Sequence, residues 1–561
     1  MGYSEKVNLW KGYKDLDLEL KEELDRLNEK ELEEAFALDL SFGTGGLRGV
    51  LGVGTNRMNI YIVRKATLGF GRFLLRKEKA RDRGVAIAHD NRKYSKEFAQ
   101  ESAKVLTSLG FNVYLFEDLR PTPELSFAVR HFNCVGGIMI TASHNPKEYN
   151  GYKVYDENGC QLLPEDADEV IKEINQIDDY FNIEVGKNHD KIKEIGREVD
   201  KAYLNEIKKI LLRPNLDKNF KIVYTPLHGT GQVFVIDLLK KLGYNAIPVG
   251  SQMTCDPNFS NVKSSNPEDK IAYEKGIELA KEVNAEVVFA TDPDADRLGI
   301  AVRHKEEYVF LNGNEIGALL LNYILMTRKE LGILPRNGYV FTTNVSSSLA
   351  VLIAKKYGMN VEITLTGFKF IGDKAKEIEG KGEFVFGYEE SYGYLISDVV
   401  RDKDSIQSII MLAEVTAYYR EKGLTLVDAL DKIFKEYGYY LEGITNITLK
   451  GLAGSEKILQ IMNYFRNNPI KLESFKILAK EDCKLSIKDD YVNLEKSVIN
   501  LPKSNVIKYL LNDDMWFVLR PSGTEPKLKV YYGVVGQSLK DSQDKLNLLT
   551  EEVLNIVNKI K

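Results

Sequence analysis

From about residue 40 to about residue 440, short apolar runs alternate with longer stretches of helical period. Runs at 84–88, 112–116, 135–141, 221–225, 286–290, 339–342 and 383–386 read as strands. Segments such as 95–109, 271–283 and 405–422 read as helices. Strands that alternate with helices predict parallel, doubly wound sheets. Three strands end in polar loops: Thr141–Pro146, Thr291–Arg297 and Gly387–Gly393. Ligands of open α/β sheets sit beyond the carboxyl ends of strands, so three such loops predict three related units facing one cleft. After residue 440 the pattern changes to hairpin strands, 516–519 and 528–534, and a terminal helix over 539–560. The expected fold is α/β: three similar doubly wound mixed α/β domains plus a smaller C-terminal α+β domain around a central cleft. The expected segments are 1–205, 206–322, 323–440 and 441–561. Residues 14–36, charged and Leu-rich, read as one amphipathic helix forming a packed N-terminal arm.

Length agrees with this division, because 561 residues at about 150 per domain suggest about four domains. Hydrophobic residues are 43% and charged residues 28% of the chain, ordinary for a globular protein. Lys plus Arg is 77, Asp plus Glu is 82, and the net charge is −5, which argues against a nucleic-acid partner. Cys134, Cys160, Cys255 and Cys483 show no CxxC spacing, so a reduced, cytoplasmic protein is expected. The first residues lack the apolar core of a signal peptide, and Lys6 replaces the hydroxyl residue of a myristoylation site. The densest apolar stretch, 316–326, is too short to span a bilayer and contains Asn322, so no membrane partner is expected.

The loops contain the residues with chemistry. Asp292, Asp294 and Asp296 alternate, and an extended loop would project them to one side. Three carboxylates this close repel, and a hard cation such as Mg²⁺ relieves the repulsion. The loop is not an EF-hand, since Arg297 and Arg303 take the glycine and final glutamate positions. Ser143, beside His144 and before Asn145-Pro146, is the candidate nucleophile. It lacks the GxSxG frame of acyl-transfer hydrolases. A phosphoserine there would carry close to two negative charges, which a nearby cation neutralises. Arg520-Pro521-Ser522-Gly523-Thr524 joins a forked cation, two hydroxyls and a glycine, a set suited to a non-reacting phosphate. The glycine-dense stretch 43–49 is neither a P-loop nor a dinucleotide fingerprint. Glu389 and Ser391 have the groups to bond sugar hydroxyls. A solvated acidic turn, a capping serine and ordinary hairpin turns remain the bland alternatives for each loop alone. A serine, a metal loop, a hydroxyl-reading loop and a phosphate clamp in one chain point to one reaction.

Thr-Ala-Ser-His-Asn-Pro at 141–146, Asp-Pro-Asp-Ala-Asp-Arg at 292–297, Glu-Glu-Ser-Tyr-Gly at 389–393 and Arg-Pro-Ser-Gly-Thr-Glu-Pro at 520–526 resemble, in order, the four signature loops of the α-D-phosphohexomutase superfamily. This superfamily comprises the phosphoglucomutases and phosphomannomutases. The resemblance runs from Phe42 to the C-terminus and implies an isomerase acting on sugar phosphates. It implies that Ser143 carries the transferable phosphoryl group, and that Mg²⁺ binds Asp292, Asp294, Asp296 and the phosphate on Ser143. It implies that Arg297 steadies the metal loop and that Glu389 and Ser391 read sugar hydroxyls. Arg520, Ser522, Gly523 and Thr524 would hold the distal phosphate. Arg48 matches the arginine of the N-terminal Arg-Gly motif near the nucleophile, and Thr366-Gly367-Phe368-Lys369 resembles the sugar-specificity loop.

Lys153 and Lys403 match the family's candidate acids and bases. Some relatives have a histidine where this chain has Gly393, which favours a lysine here. Such a lysine needs a lowered pKa. The implied reaction interconverts glucose 1-phosphate and glucose 6-phosphate through glucose 1,6-bisphosphate. The loops also resemble a subgroup with phosphopentomutases and bisphosphate-sugar synthases, so mannose or pentose phosphates stay open as substrates. A phosphatase, with water as acceptor, and a non-catalytic sugar-phosphate binder are the rivals from other classes. The oligomeric state is not encoded in these features.

Overall fold

A computed structural model of the chain describes residues 2–43, 45–186, 189–449, 451–522 and 527–560. The chain divides into two compact units. The first comprises Met1–Asn312, Phe368–Phe386 and Ser391–Gly423; the second comprises Gly313–Gly367, Gly387–Glu390 and Leu424–Lys561.

The first unit holds two sheets. One has six strands in the order Gly46–Val50, Tyr149–Asp156, Gly136–Ile140, Val85–His89, Val113–Phe116, Ile192–Ile195. Its inner strands pair in parallel, whereas Tyr149–Asp156 runs antiparallel to both neighbours. Helices cover both faces. A Cβ on Gly136 would meet Phe70 and Leu74 of the helix Ile60–Leu74, and one on Gly137 would meet Val129 and Leu125 of the helix Thr122–His131. Alternate strand residues point to opposite faces, so these two neighbours report one helix on each side. The second sheet has the order Glu307–Leu311, Leu298–His304, Val287–Thr291, Lys221–Thr225, Asn245–Pro248. It is likewise mixed, with an antiparallel hairpin at one edge.

The N-terminal arm differs from the single helix expected over 14–36. It forms three helices, Tyr3–Gly12, Leu18–Arg26 and Glu29–Phe36. The break falls at Asn28, whose side chain accepts from the Glu31 N–H while Glu31 bonds back to the Asn28 N–H. This reciprocal cap starts a new helix instead of continuing the old one. Trp10 is fully buried in edge-on contact with Phe36, Tyr61 and Phe181.

In the second unit the strands Gly338–Thr343 and Asn360–Thr364 pair in parallel. The C-terminal part is larger in sheet content than the two-strand hairpin expected. Seven antiparallel strands lie in the order Tyr439–Thr448, Lys527–Gly536, Trp516–Pro521, Ile507–Leu511, Ile477–Asp482, Ile487–Asp490, Glu495–Val498. Ile461, Phe465, Phe517, Val530, Leu549 and Val553 join in its core beneath the helices Gly451–Asn467 and Leu539–Lys559. The outermost strands carry Lys488, Glu495, Lys496 and Ser497, whose polarity hid them from a reading based on apolar runs. The apolar stretch 316–326 lies in the buried helix Gly313–Glu330, and among the described residues no helix is long and apolar enough to cross a membrane.

Candidate active site

Ser143 lies three residues past the fully buried strand Gly136–Ile140, in a loop that turns back into Tyr149–Asp156. Its backbone takes the left-handed conformation, φ +52°, and its N–H donates to Thr141 Oγ1 at 2.8 Å. Non-glycine residues occupy that region at a cost and often at functional positions. The Ser143 side chain is 3% exposed as a residue, and its hydroxyl donates to Asp292 Oδ2 at 2.7 Å. His144 Nδ1 lies 3.3 Å from the Ser143 hydroxyl oxygen. Burial and the neighbouring Arg297 and Arg48 hold His144 well below the usual imidazole range, so it is neutral at pH 7. Arg48, on the strand Gly46–Val50, donates to Asn145 Oδ1 at 2.9 Å.

The second sheet supplies the aspartates. The strand Val287–Thr291 is buried throughout and leads into Asp292–Arg297. Asp292 Oδ1 accepts from the N–H groups of Asp296 and Arg297, at 3.1 and 2.9 Å, which folds the loop back on itself. Arg297 also pairs with Glu268 at 2.5 Å. Ligand oxygens of Asp292, Asp294 and Asp296 lie within 4.8 Å of one another. All three residues are at most 2% exposed, and Oδ1 of Asp294 and of Asp296 has no hydrogen-bond partner. Buried carboxylate oxygens without a donor are costly unless a cation takes them. The donor set is all oxygen, which suits Mg²⁺. Burial and the charges of Asp294 and Asp296 push Asp292 well above the usual carboxylate range.

Both candidate lysines reach this trio. Lys153 Nζ lies 2.7 Å from Asp294 Oδ2 and 3.3 Å from Asp296 Oδ2; Lys403 Nζ lies 3.2 Å from Asp296 Oδ2. Burial opposes the charge on Lys153, but Asp294 and Asp296 prevail and hold it above the ordinary lysine range. The sequence asks instead for a lowered lysine, and the difference comes from these two carboxylates. Gly393 shapes the seat of Lys403. A Cβ at 393 would lie 2.1 Å from Lys403 Cδ, so the lysine stem occupies the space a side chain there would fill. Ser391 is half-buried in the same loop, which Leu298 N–H ties down through the Tyr392 carbonyl at 3.0 Å.

The first unit therefore brings Ser143, His144, Arg48, Lys153, Lys403, Arg297 and the three aspartates together, with Ser391 in a neighbouring loop. The second unit brings together Thr366, Gly367 and Glu389: Glu389 Oε1 accepts from the Gly367 N–H at 2.6 Å. Burial and the adjacent Glu389 raise Glu390 to about 7, while Thr343 and Arg520 act in the opposite sense. Arg520 closes the strand Trp516–Pro521, and the Ser522 N–H donates to Lys527 O at 2.7 Å. Gly523 and Thr524 lie outside the described residues.

Sequence reasoning passed over several residues. Thr122 Oγ1 donates to Asp294 Oδ2 at 2.8 Å, and Ser405 Oγ donates to the Ala295 carbonyl at 2.6 Å. Asp402 Oδ1 faces Lys403 Nζ at 3.3 Å, while its Oδ2 accepts from Tyr155 at 2.9 Å. Arg92 grips the serine loop. The signal for Arg92 was its position: Asp90-Asn91-Arg92 follows a buried strand as the other loops do. Thr122 and Ser405 have no mark in sequence, because their roles depend on long-range contacts, whereas Asp402 directly precedes Lys403.

Residues 39–181, 201–305 and 312–437 match the family models described as phosphoglucomutase/phosphomannomutase, alpha/beta/alpha domains I, II and III, and residues 466–546 match the model of the C-terminal domain. The chain belongs to the phosphoglucomutase/phosphomannomutase family. Its members thus combine three α/β domains with a C-terminal domain, as the sequence predicts. A phosphoglucomutase of Staphylococcus epidermidis is 40% identical over 528 residues, spanning 91% of this chain and 95% of the relative. One of Staphylococcus aureus is 39% identical over 529 residues, spanning 92% and 94%. Among solved structures, parafusin of Paramecium, described as a phosphoglucomutase in an open form, superposes with TM-score 0.69 at 17% identity, covering 92% of this chain and 94% of that one.

Proposed function

We propose that this chain is a phosphoglucomutase that interconverts α-D-glucose 1-phosphate and glucose 6-phosphate through a phosphoserine and glucose 1,6-bisphosphate. The observation that carries the reading is the 2.7 Å bond from Ser143 Oγ to Asp292, which sets the candidate nucleophile against the aspartate trio. Identity near 40% to phosphoglucomutases over most of the chain supports the choice of glucose.

In this reading Asp292, Asp294 and Asp296 would hold Mg²⁺ beside the phosphate carried by Ser143. When bound, the cation neutralises charge on the phosphoryl group during transfer. Phospho-Ser143 donates its group to the free hydroxyl of the sugar monophosphate. The resulting bisphosphate turns over and returns its other phosphate to Ser143. Lys153 and Lys403, both directed at the aspartates, are the candidate groups that exchange the hydroxyl proton, and Lys153, kept charged by Asp294 and Asp296, suits the part of the acid. Neutral His144, beside Ser143, and Arg48, through Asn145, shape the nucleophile's surroundings. Arg297 steadies the aspartate loop through its N–H and its pair with Glu268. Glu389, Ser391, Thr366 and Gly367 read the sugar, and Arg520, Ser522, Gly523 and Thr524 hold the distal phosphate. A cytoplasmic location fits unpaired cysteines, of which Cys134, Cys160 and Cys483 are buried.

The test supplies the protein with glucose 1-phosphate, Mg²⁺ and a trace of glucose 1,6-bisphosphate. Glucose 6-phosphate is the expected product. Free phosphate in its place would establish a phosphatase and overturn the mutase reading. Ser143→Ala should fold normally and lose turnover; near-normal activity would remove the serine from the mechanism.

A further inference from the structure

We infer that Arg92 is the positioning residue that sets Ser143 for phosphoryl transfer, an inference that rests on the serine's role proposed above. The Arg92 side chain is fully buried. Its Nη1 donates to the carbonyls of Pro146 and Tyr149 at 2.8 and 3.0 Å. Its Nη2 donates to the carbonyl of Ser143 at 2.5 Å and to that of Asn145. The four Nη hydrogens thus meet four carbonyls of the one loop that presents the nucleophile. Nε faces Asp90 Oδ2 at 3.3 Å, and Asp90 is itself held by the Ser95 hydroxyl at 2.7 Å. The Phe259 ring covers the guanidinium at 5.2 Å.

Four carbonyls converging on one point repel unless a multidentate donor sits between them. A planar fork with donors on both Nη atoms meets that need, and the three-donor point charge of lysine does not. The Ser143 carbonyl is one of the four, and Ser143 is the residue held at φ +52°. Arg92 touches neither the hydroxyl nor the aspartates by hydrogen bond. It acts through the backbone, fixing the left-handed turn that aims Oγ at Asp292. Loss of the fork leaves the loop free to relax toward ordinary φ. A shift of about 1 Å in a reacting atom costs about a hundredfold in rate. Binding of sugar and distal phosphate uses other residues and is left intact.

The experiment compares wild type with Arg92→Lys and Arg92→Ala, each checked for folding by thermal unfolding and circular dichroism. For Arg92→Lys the expected result is a kcat lowered ten- to a hundredfold with KM for glucose 1-phosphate within threefold. For Arg92→Ala, millimolar guanidinium, which leaves wild type unaffected, should restore part of the lost kcat. A folded Arg92→Lys with kcat within twofold of wild type overturns the inference, as does an equal loss through KM alone. Should Arg92→Lys fail to fold, Asp90→Asn/Arg92→Met, which removes both buried charges together, is judged by the same kcat and KM criteria. Failure of the wild type itself to turn over glucose 1-phosphate would instead overturn the proposed function.

Discussion

Gly393→Ala should disable this enzyme by displacing a side chain ten residues away. The new Cβ would sit 2.1 Å from Cδ and 2.7 Å from Cγ of Lys403. Carbon atoms rest at about 3.5–4.0 Å, so the lysine stem has to move by about 1.5 Å. Lys403 Nζ starts 3.2 Å from Asp296 and 3.3 Å from Asp402, and a shift of that size breaks both pairs. At about a hundredfold per ångström of misplacement, the loss in kcat corresponds to about 2.7 kcal/mol or more. The backbone itself tolerates alanine, since Gly393 is absent from the left-handed residues among those described. Steady-state kcat for glucose 1-phosphate, with thermal unfolding as a folding control, reads the effect. Lys403→Met and the double variant complete a cycle. If Gly393→Ala acts through Lys403, the double variant loses no more than Lys403→Met alone. A folded Gly393→Ala with kcat within threefold of wild type, or losses that multiply in the double variant, would refute the reasoning.

A chelator should abolish turnover and lower the melting temperature, because it strands the oxygens of Asp294 and Asp296 that have no hydrogen-bond donor; excess Mg²⁺ should restore both, with stabilisation of about 2.7 kcal/mol at a hundredfold over its Kd. Thr122→Val removes a donor to Asp294 and should weaken Mg²⁺ affinity by about ten- to a hundredfold, measured by activity against Mg²⁺ concentration and by calorimetry. Burial raises Asp404 from 3.8 to about 6, although it caps the helix Ser405–Glu421 and accepts from Tyr203. The folded state therefore keeps a proton that the unfolded state releases first. This contribution is full below about pH 4 and is lost as pH rises through about 6, an amount of about 3 kcal/mol. Asp404→Asn, an equally good cap, should be more stable than wild type in urea at pH 8, with the gain fading towards pH 4; a gain independent of pH would contradict the assignment.

The strands that carry the serine and the aspartates were legible because they are uniformly apolar. The sequence places them at 135–141 and 286–290, and they form at Gly136–Ile140 and Val287–Thr291. The loops after them announce their chemistry by residue type alone. Two antiparallel strands were not legible: Tyr149–Asp156, inside its sheet, mixes polar and aromatic residues, and Glu495–Val498, at an edge, is exposed throughout, so neither shows an apolar run. The break at Asn28 was written in the Asn-x-x-Glu spacing but outweighed by the surrounding leucine period. Within the site, the sequence names the groups that react and misses those that hold them. Thr122 lies 172 positions from Asp294, and Ser405 lies 110 from Ala295. Such partners acquire meaning only when distant segments meet. The two carboxylates that hold Lys153 charged were hidden for the same reason, since they come from another sheet.

The course of the chain through the two units bears on synthesis. A nascent polypeptide that has emerged only to Asn312 carries the serine, all three aspartates and Lys153. It lacks Lys403, the second lysine beside Asp296, and Ser405, whose hydroxyl holds the Ala295 carbonyl. Those pieces belong to Ser391–Gly423, translated after Gly313–Gly367 of the other unit. Domains that close in order from the N-terminus can finish on the ribosome one by one. Here the first unit stays open, its acidic trio one cation short, until translation has passed well into the second.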